Sequence, residues 1–371
     1  MQMKVLLLAG EESGVLYAER LKQALPGCEF RTYQDRYKTS DLAVMGFWPV
    51  VKRIFFFLGV QRTMKRTIRE WRPDAVVTID YPGLNLKLAA YAKLLGIPAI
   101  HIVCPQVWAW HQNRIPKVAA SVNRLLCFFP FEPALFKNYE SPGFHATFIG
   151  HPMVDVFNGE GRATNETSVA SARRIAILPG SRIGEIRRIL PRLLKSLHLL
   201  KTPAEVLIPA ANDAAYSEID RQVRANPPPD SFKLGIAHGG ARDILRKVDC
   251  AAVASGTATL EAALAHCPTV LVYAVSPMLA WFARRVITGV RHIGLANVIA
   301  EKSGVEPPMP ELLQEAFTPE AVAAQLTAWL DDDEARGRAS RALDAVMARL
   351  HSDGDALGAA AREITEAVNA R

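Results

Sequence analysis

The sequence predicts an α/β protein with doubly wound parallel sheets in two domains. Short, continuous apolar runs at residues 5–9 and 75–79 are typical of strands buried on both faces of a parallel sheet. Stretches with helical spacing follow such runs, and this alternation continues along the chain. The 371 residues, against about 100–200 in a usual domain, indicate two domains. We expect them at residues 1–158 and 170–371, with the small, polar stretch 159–168 as a linker.

Composition limits the class of protein. Half of the residues are hydrophobic, which excludes a disordered chain. The cysteines are odd in number, widely spaced and without a C-x-x-C pair, which argues against a disulfide framework or a zinc site and favours a reducing compartment. They are Cys28, Cys104, Cys127, Cys250 and Cys267. No apolar stretch reaches the roughly 18 residues of a membrane span, so we expect a soluble or peripheral protein. The net charge of +7 indicates an anionic partner without choosing among nucleic acid, membrane and nucleotide.

The stretch at 250–264 is the centre of the functional interpretation. An apolar run at 250–254 predicts a buried strand, and helical spacing resumes directly after Ser255, Gly256 and Thr257. Small side chains would let an anion reach the first N–H groups of this helix, as a nucleotide diphosphate requires. Glu261, one turn later, is suited to accept hydrogen bonds from ribose hydroxyls. The alternative interpretation is an ordinary helix N-cap.

A second turn of this kind follows the predicted strand at 174–178. Gly180 and Ser181 form the small turn, and Arg182 stands at the start of the next helix. An arginine can hold a phosphate through two parallel hydrogen bonds. The turn therefore predicts a second contact with a phosphate group.

The first half of the chain contributes candidate residues at strand ends. Asp80 follows the strand at 75–79, where a carboxylate can act as a general base; a turn-capping aspartate is the alternative. The loop at 10–14 follows the first predicted strand. Trp108 and Trp110 are two residues apart, which does not fit one helical face, so we expect them to wall a ligand site.

Residues 47–71 combine aromatic and basic side chains. We weigh two interpretations equally: an amphipathic helix at a bilayer interface, and a core-packed helix with a solvated basic face. In the first, an aromatic of the triplet 55–57 enters the headgroup layer while cations meet phosphates. The residues concerned are Phe55, Phe56, Phe57, Lys52, Arg53, Lys65 and Arg66.

Nine motifs, taken together and in order, give the chain a family resemblance. They are Gly10-Glu11-Glu12-Ser13-Gly14, Leu42-Ala43-Val44-Met45-Gly46, Ile79-Asp80-x-Pro82-x-x-Asn85, Val107-Trp108-Ala109-Trp110, Phe129-Pro130-Phe131-Glu132, Phe148-Ile149-Gly150-His151-Pro152, Leu178-Pro179-Gly180-Ser181-Arg182, Ser255 through Glu261, and Asn297 with Pro310-Glu311-Leu312-Leu313-Gln314. With these the chain resembles lipid-A-disaccharide synthases over nearly its whole length.

The resemblance implies an inverting, metal-independent glycosyltransferase in which two Rossmann-like domains face a cleft. It would join UDP-2,3-diacylglucosamine to 2,3-diacylglucosamine 1-phosphate (lipid X), releasing UDP and a β-1,6-linked disaccharide. It implies an acceptor-binding, membrane-facing first domain, a UDP-sugar-binding second domain, and no cofactor or nucleic-acid partner. The location would be the cytoplasmic face of the inner membrane, with the choice between monomer and homodimer left open. Implied catalytic residues are Asp80 and Arg182; implied substrate-binding residues are Glu12, Ser13, Gly14, Asn85, Trp108, Trp110, Ser181, Ser255, Gly256, Thr257, Glu261 and Asn297.

The departures from the family pattern lie mostly in the first half. Val15 replaces an Asp, a Gly-Gly-Pro-x-Met segment is missing before Leu42, and Gly83, Cys104, Gln106 and Ala296 replace the usual residues. Two alternatives therefore remain. One is another UDP-sugar enzyme, either a 2-epimerase or an N-acetylglucosaminyltransferase. The other is a non-catalytic relative that binds lipid or nucleotide.

Overall fold

The structure, a computed structural model, describes residues 2–38, 41, 54–159, 172–276, 278, 280, 281, 285 and 289–370. The chain forms two compact units, Met1–Asp155 with Leu350–Arg371, and Val156–Arg349. Of the predicted linker 159–168, only Gly159 is among the described residues.

The first unit contains a six-stranded parallel sheet with strand order β2-β1-β3-β4-β5-β6. Its strands are β1 (Lys4–Ala9), β2 (Glu29–Thr32), β3 (Ala75–Ile79), β4 (Ala99–Ile102), β5 (Arg124–Cys127) and β6 (His145–Phe148). Its helices are α1 (Glu12–Ala24), α2 (Ile54–Trp71), α3 (Pro82–Leu94) and α4 (Ile115–Ser121), and α5 (Pro152–Gly159) leads into the second unit. Every residue of β3 is buried, as expected for a strand covered on both faces.

The second unit contains another six-stranded parallel sheet, with strand order β12-β11-β10-β7-β8-β9. Its strands are β7 (Arg173–Leu178), β8 (Ala204–Ala210), β9 (Lys233–His238), β10 (Cys250–Ala254), β11 (Thr269–Tyr273) and β12 (Glu311–Leu313). Its helices are α6 (Ile183–Leu197), α7 (Asp213–Ala225), α8 (Ala241–Leu245), α9 (Thr257–Leu264), α10 (Leu295–Lys302), α11 (Pro319–Asp331) and α12 (Asp333–Met347). The predicted alternation of strand and helix is confirmed in both units.

The last helix, α13 (Ala356–Asn369), belongs to the first unit. Its apolar face, which includes Ile364, joins the core cluster that contains Leu21 of α1 and Val77 of β3. The expected second domain, 170–371, includes this helix, whereas the structure assigns it to the first unit. The helical pattern of the tail does not say which sheet the helix covers.

The strand order places one switch point in each sheet. In the first sheet, β2 and β3 lie on opposite sides of β1; in the second, β8 and β10 lie on opposite sides of β7. The connections that follow β1 and β3 therefore run in opposite directions along the first sheet, and those that follow β7 and β10 do so along the second. This opens a crevice at the carboxyl ends of these strands, where α/β sheets bind ligands. The loops after β1 and β3, and those after β7 and β10, are therefore the places to look for a site.

Within the described part of the chain, no helix combines the length and apolar character needed to cross a membrane.

Candidate active site

The turn between β10 and α9 lies at the switch point of the second sheet. Gly256 has a φ of 151°, which side chains rarely adopt, and a Cβ added there would meet no atom within 4 Å. Gly256 is also the cap residue of α9, and no side chain of the described residues makes a capping hydrogen bond to this helix. The turn is therefore open to a ligand that approaches the first backbone N–H groups of α9.

A pocket of about 280 Å³ lies beside this turn. Its volume is near the lower end of the roughly 300–1,000 Å³ typical of small-molecule sites. The lining comes from the carboxyl ends of strands of the second sheet and from the turns and helix starts that follow four of them: Leu178, Gly180, Ser181 and Glu185; Pro209, Ala210 and Ala211; Gly239 and Ala241; and Ala254, Ser255, Gly256, Thr257, Ala258 and Glu261. The structure thus brings together five of the residues predicted to bind substrate: Ser181, Ser255, Gly256, Thr257 and Glu261.

Glu261 is one of the residues that line this pocket. Burial raises its pKa, and the nearby positive charge of Arg242 partly opposes that rise. An ionised carboxylate there can accept hydrogen bonds from hydroxyl groups of a ligand.

Arg182 adjoins the pocket at the start of α6. Its Nη1 atom lies 3.3 Å from Oε1 of Glu185, and its side chain is 65% exposed. Gly180 has a φ of 107°, and a Cβ there would lie 2.7 Å from Oε2 of Glu185. Only glycine lets the loop pass this close to the carboxylate. Sequence reasoning missed Glu185, because its pairing with Arg182 depends on the course of this loop.

Asp80 lies at the carboxyl end of β3, at the switch point of the first sheet. Asp80 and Tyr81 have consecutive φ values of 49° and 51°, a left-handed conformation that is rare for residues other than glycine. Such strained backbone is common at functional sites. Burial raises the pKa of Asp80, while a hydrogen bond from the backbone of Tyr81 lowers it.

The buried side chain of Asn85 holds this turn. Its Nδ2 donates to the carbonyl oxygens of Asp80 at 2.8 Å, Ile79 at 3.1 Å and Leu8 at 3.3 Å. Its Oδ1 accepts from the hydroxyl of Tyr33 at 2.8 Å. The described contacts of Asn85 are thus with the protein, and they support Asp80.

The loop after β1 brings another carboxylate to Asp80. Burial and the negative charge of Asp80 both raise the pKa of Glu11, which sequence reasoning had not selected. Glu11 immediately precedes α1, whereas Glu12 and Ser13 lie inside its first turn; Ser13 is exposed. The Glu12 side chain is outside the described residues, and Gly14 is buried against Ala9 and Ile79. Two adjacent glutamates in the sequence do not reveal that the carboxyl group of Glu11 lies close enough to Asp80 to feel its charge.

The two tryptophans have different surroundings. Trp108 is buried, and its Nε1 donates to Oε1 of Glu132 at 3.0 Å. Burial raises the pKa of Glu132 to about 8, against the lowering effect of hydrogen bonds from the backbone of Phe129 and from Trp108. Trp110 is 42% exposed beside His111. Of the two tryptophans predicted to wall a ligand site, Trp110 is the one with an exposed side chain.

Asn297, in α10, is also fully buried. Its Nδ2 donates to the carbonyl oxygen of Met309 at 2.7 Å and to Oε1 of Glu311 at 2.8 Å, and its Oδ1 accepts from the backbone N–H of Met309. The structure does not place Asn297 among the residues that line the pocket at α9. Its predicted contact with a substrate stays a prediction.

Comparison of the sequence with known proteins identifies the family of this chain. A family model described as lipid-A-disaccharide synthetase matches residues 5–354. A lipid-A-disaccharide synthase of Syntrophus aciditrophicus is 34% identical over 382 aligned residues, covering 97% of each chain. One of Neisseria gonorrhoeae is 37% identical over 306 residues, covering 81% of this chain and 76% of its own.

Solved structures share the fold at much lower identity. The crystal structure of Acinetobacter baumannii MurG gives a TM-score of 0.59 at 15% identity, with 99% of this chain and 100% of that chain covered. A UDP co-structure of S. aureus MnaA gives 0.61 at 12% identity, with 96% and 94% covered. These likenesses support the GT-B type of fold with two Rossmann-like domains, while the sequence relatives carry the family. The chain is a glycosyltransferase and belongs to the lipid-A-disaccharide synthetase family.

Proposed function

We propose that this protein joins UDP-2,3-diacylglucosamine to 2,3-diacylglucosamine 1-phosphate, forming a β-1,6-linked disaccharide and releasing UDP. The observation that carries the proposal is the family match across residues 5–354. The positions of Asp80 at the first switch point and of the turn at Gly256 at the second are consistent with this reaction. The 2-epimerase and N-acetylglucosaminyltransferase alternatives are not favoured: the similar solved structures, among them a UDP-GlcNAc 2-epimerase of Neisseria meningitidis, match this chain at 12–15% identity and share only its fold.

The donor nucleotide would bind in the pocket at α9. The N–H groups that follow Gly256 would face the diphosphate, and Glu261 would accept from ribose hydroxyls. Ser181, Ser255 and Thr257 would complete the contacts. Negative charge grows on UDP as it leaves, so the helix N–H groups and Arg182 would stabilise the transition state more than the bound donor.

Asp80 would be the general base. The acceptor hydroxyl is a weak nucleophile until its proton is removed, and a positioned carboxylate typically contributes about 10²–10⁴-fold to the rate. The raised pKa of Asp80 supports this role, since a base works best with a pKa closer to the working pH. The proposed displacement is inverting: the hydroxyl attacks the anomeric carbon opposite to UDP, and the transferred sugar changes its anomeric configuration. The proposed mechanism uses no metal: the helix N–H groups and Arg182 would stabilise the charge on the leaving diphosphate.

We also propose that the protein binds peripherally to the cytoplasmic face of the inner membrane. Both substrates carry acyl chains, and each buried CH₂ costs about 0.8 kcal/mol to move into water. In α2, Phe55 is 85% exposed and Leu58 is 49% exposed, whereas Val60, Met64 and Ile68 are buried. Phe56 and Phe57 pack partly against the core, so Phe55 is the member of the triplet best placed to enter a bilayer interface.

Product analysis by mass spectrometry tests the proposed reaction. The purified protein is incubated with UDP-diacylglucosamine, with and without lipid X, and separately with UDP-N-acetylglucosamine alone. Disaccharide and UDP should form only when both lipid substrates are present. Conversion of UDP-N-acetylglucosamine without an acceptor would contradict the proposal and support an epimerase. Absence of turnover by folded protein, under conditions where a family member is active, would support a binding role.

A further inference from the structure

Two cysteines from separate segments meet at the carboxyl ends of β4 and β5. These strands are parallel neighbours, with His101 opposite Leu125 and Ile102 opposite Leu126. Cys127 is the last residue of β5, and Cys104 lies two residues beyond β4. Val103, between β4 and Cys104, has a φ of 76°, which turns the chain. Both thiols are therefore brought to one edge of the sheet.

Glu132 joins the two thiols from the turn after β5. The two Sγ atoms and a carboxylate oxygen of Glu132 all lie within 4.8 Å of one another, and all three residues are buried. Around a tetrahedral Zn²⁺, with bonds of about 2.3 Å to sulfur and 2.0–2.2 Å to oxygen, ligand atoms are about 3.6–3.8 Å apart. The cluster needs to contract by no more than about 1 Å to reach that geometry.

We propose that Cys104, Cys127 and Glu132 bind a soft divalent cation of the zinc class. Two thiolates and a carboxylate match the ligand preferences of Zn²⁺, and three protein ligands leave the fourth position for water. The spacing along the chain gave no sign of such a site, because its ligands come from the ends of two strands and a turn. The proposed sugar transfer does not use this metal.

The surroundings of Glu132 suit a metal ligand. Its Oε1 accepts from Nε1 of Trp108 at 3.0 Å, and its Oε2 accepts from the backbone N–H of Phe129 at 3.1 Å. Such outer contacts orient the ligands of metal sites. A divalent cation would also balance most of the negative charge that three ionised ligands place in this buried region. Its binding would tie the loop that contains Trp108 to the turn after β5.

Cadmium titration of the full, reduced chain tests the proposal. Cd²⁺ bound to thiolates gives an ultraviolet charge-transfer band, which should appear and saturate at one ion per chain. Cys104→Ala and Cys127→Ala should each abolish or strongly reduce the band. Glu132→Gln should keep the band and weaken the affinity at least by the roughly 10–100-fold that loss of an outer-shell partner costs. Cys28→Ala, which removes a half-buried thiol outside the cluster, is the matched control and should leave the titration unchanged.

A measurement on the wild type keeps the proposal testable if the alanine variants fail to fold. X-ray absorption of the cadmium-loaded wild type should show two sulfur ligands. One sulfur ligand or none would overturn the proposal. So would a wild-type titration without a band, or a band that survives undiminished in folded Cys104→Ala or Cys127→Ala.

Discussion

Nδ2 of Asn85 lies 2.8 Å from the carbonyl oxygen of Asp80 and donates a hydrogen bond to it. The Tyr33 hydroxyl donates to the other end of the same amide. Both Tyr33 and Asn85 are fully buried. The left-handed backbone of Asp80 is thus held by a chain of side-chain hydrogen bonds that starts in the core.

Asn85→Ala should reduce turnover even though Asn85 is not proposed to touch the reacting atoms. The substitution removes the hydrogen bonds that Asn85 makes to the carbonyl oxygens of Leu8, Ile79 and Asp80, and a buried group left without a partner costs about 1–3 kcal/mol. We expect a lower melting temperature, a lower kcat and an unchanged affinity for UDP, measured by thermal unfolding, steady-state kinetics and calorimetry. Tyr33→Phe, which keeps the amide, should have a smaller effect. Wild-type kcat in folded Asn85→Ala would show that this amide does not position Asp80.

Asp80→Asn should abolish most activity without destabilising the protein. Burial raises the pKa of Asp80, so the folded state disfavours its ionised form. The stability that this group contributes is present below its unfolded pKa and lost as pH rises through its folded pKa. A neutral amide avoids that loss, and asparagine tolerates left-handed backbone. We expect a kcat lower by about 10²–10⁴-fold and, at neutral pH, a melting temperature no lower than that of the wild type.

Asp74→Asn is the matched control for this experiment. Asp74 precedes the amino end of β3, and its Oδ2 accepts from the backbone N–H of Lys4 at 2.8 Å. Its substitution should leave kcat unchanged. Unchanged turnover in Asp80→Asn would remove Asp80 as the base, and an unfolded Asp80→Asn would make it a structural turn residue.

The pH profile of kcat/KM should report the same carboxyl group. A general base must be ionised, so activity should fall as pH falls through the pKa of Asp80. Because that pKa is raised, the acid limb should lie above the roughly 3.9 of an ordinary aspartate. The residual activity of Asp80→Asn should lack this limb. A limb that persists in the variant would belong to another group, such as a substrate phosphate.

Arg182→Ala should lower turnover more than affinity for UDP. If Arg182 meets the charge that develops on the leaving diphosphate, its loss should cost about 10²–10³-fold in kcat, as for other donors aimed at a transition state. The dissociation constant of UDP should change much less. Arg187→Ala is the control, since this arginine of the same helix pairs with Glu218. A weaker affinity for UDP with an unchanged kcat in Arg182→Ala would indicate that Arg182 binds the nucleotide equally in the ground state and the transition state.

The inner strands were predictable from the sequence, whereas three edge strands were not. Strands β3 and β10 were predicted with the ends that the structure gives them, because both are buried throughout. In contrast, β2, β9 and β12 lie at sheet edges and contain no fully buried residue. An edge strand has one strand neighbour and more solvent, so it need not carry a continuous apolar run.

The candidate site was predictable where it depends on backbone turns. Small residues identified the turn at Gly256, and Asp80 was recognisable as the residue at the end of a strand. The hydrogen-bond partners of buried side chains were not predictable from the sequence. Trp108 donates a hydrogen bond to Glu132, 24 residues away, and Asn85 accepts one from Tyr33, 52 residues away. Such pairs depend on which strands become neighbours, and local periodicity carries no information on that.

The proposed contact with the membrane can be tested at a single side chain. Phe55 projects from α2 at 85% exposure, whereas Phe56 and Phe57 pack partly on the core and lie beside Tyr37 and Tyr81, respectively. Phe55→Ser should therefore weaken membrane binding without disturbing the fold. Full burial of such a side chain is worth about 1.5–3 kcal/mol, so the affinity for vesicles should fall by roughly tenfold or more.

Flotation with vesicles that contain phosphatidylglycerol measures this change, with folding checked by circular dichroism. Leu94→Ser is the matched control, because Leu94 is 84% exposed at the end of α3 and should not affect binding if α2 makes the contact. Salt should remove the part of the binding that depends on basic residues such as Lys65 and Arg66, and leave a salt-resistant part that Phe55→Ser reduces. Lys52 and Arg53, which are also predicted to contact phosphates, lie outside the described residues. Equal flotation of wild type and Phe55→Ser would mean that α2 does not insert this ring into the membrane. A loss of flotation in Leu94→Ser equal to that in Phe55→Ser would mean that exposed apolar side chains outside α2 contribute as much to membrane binding.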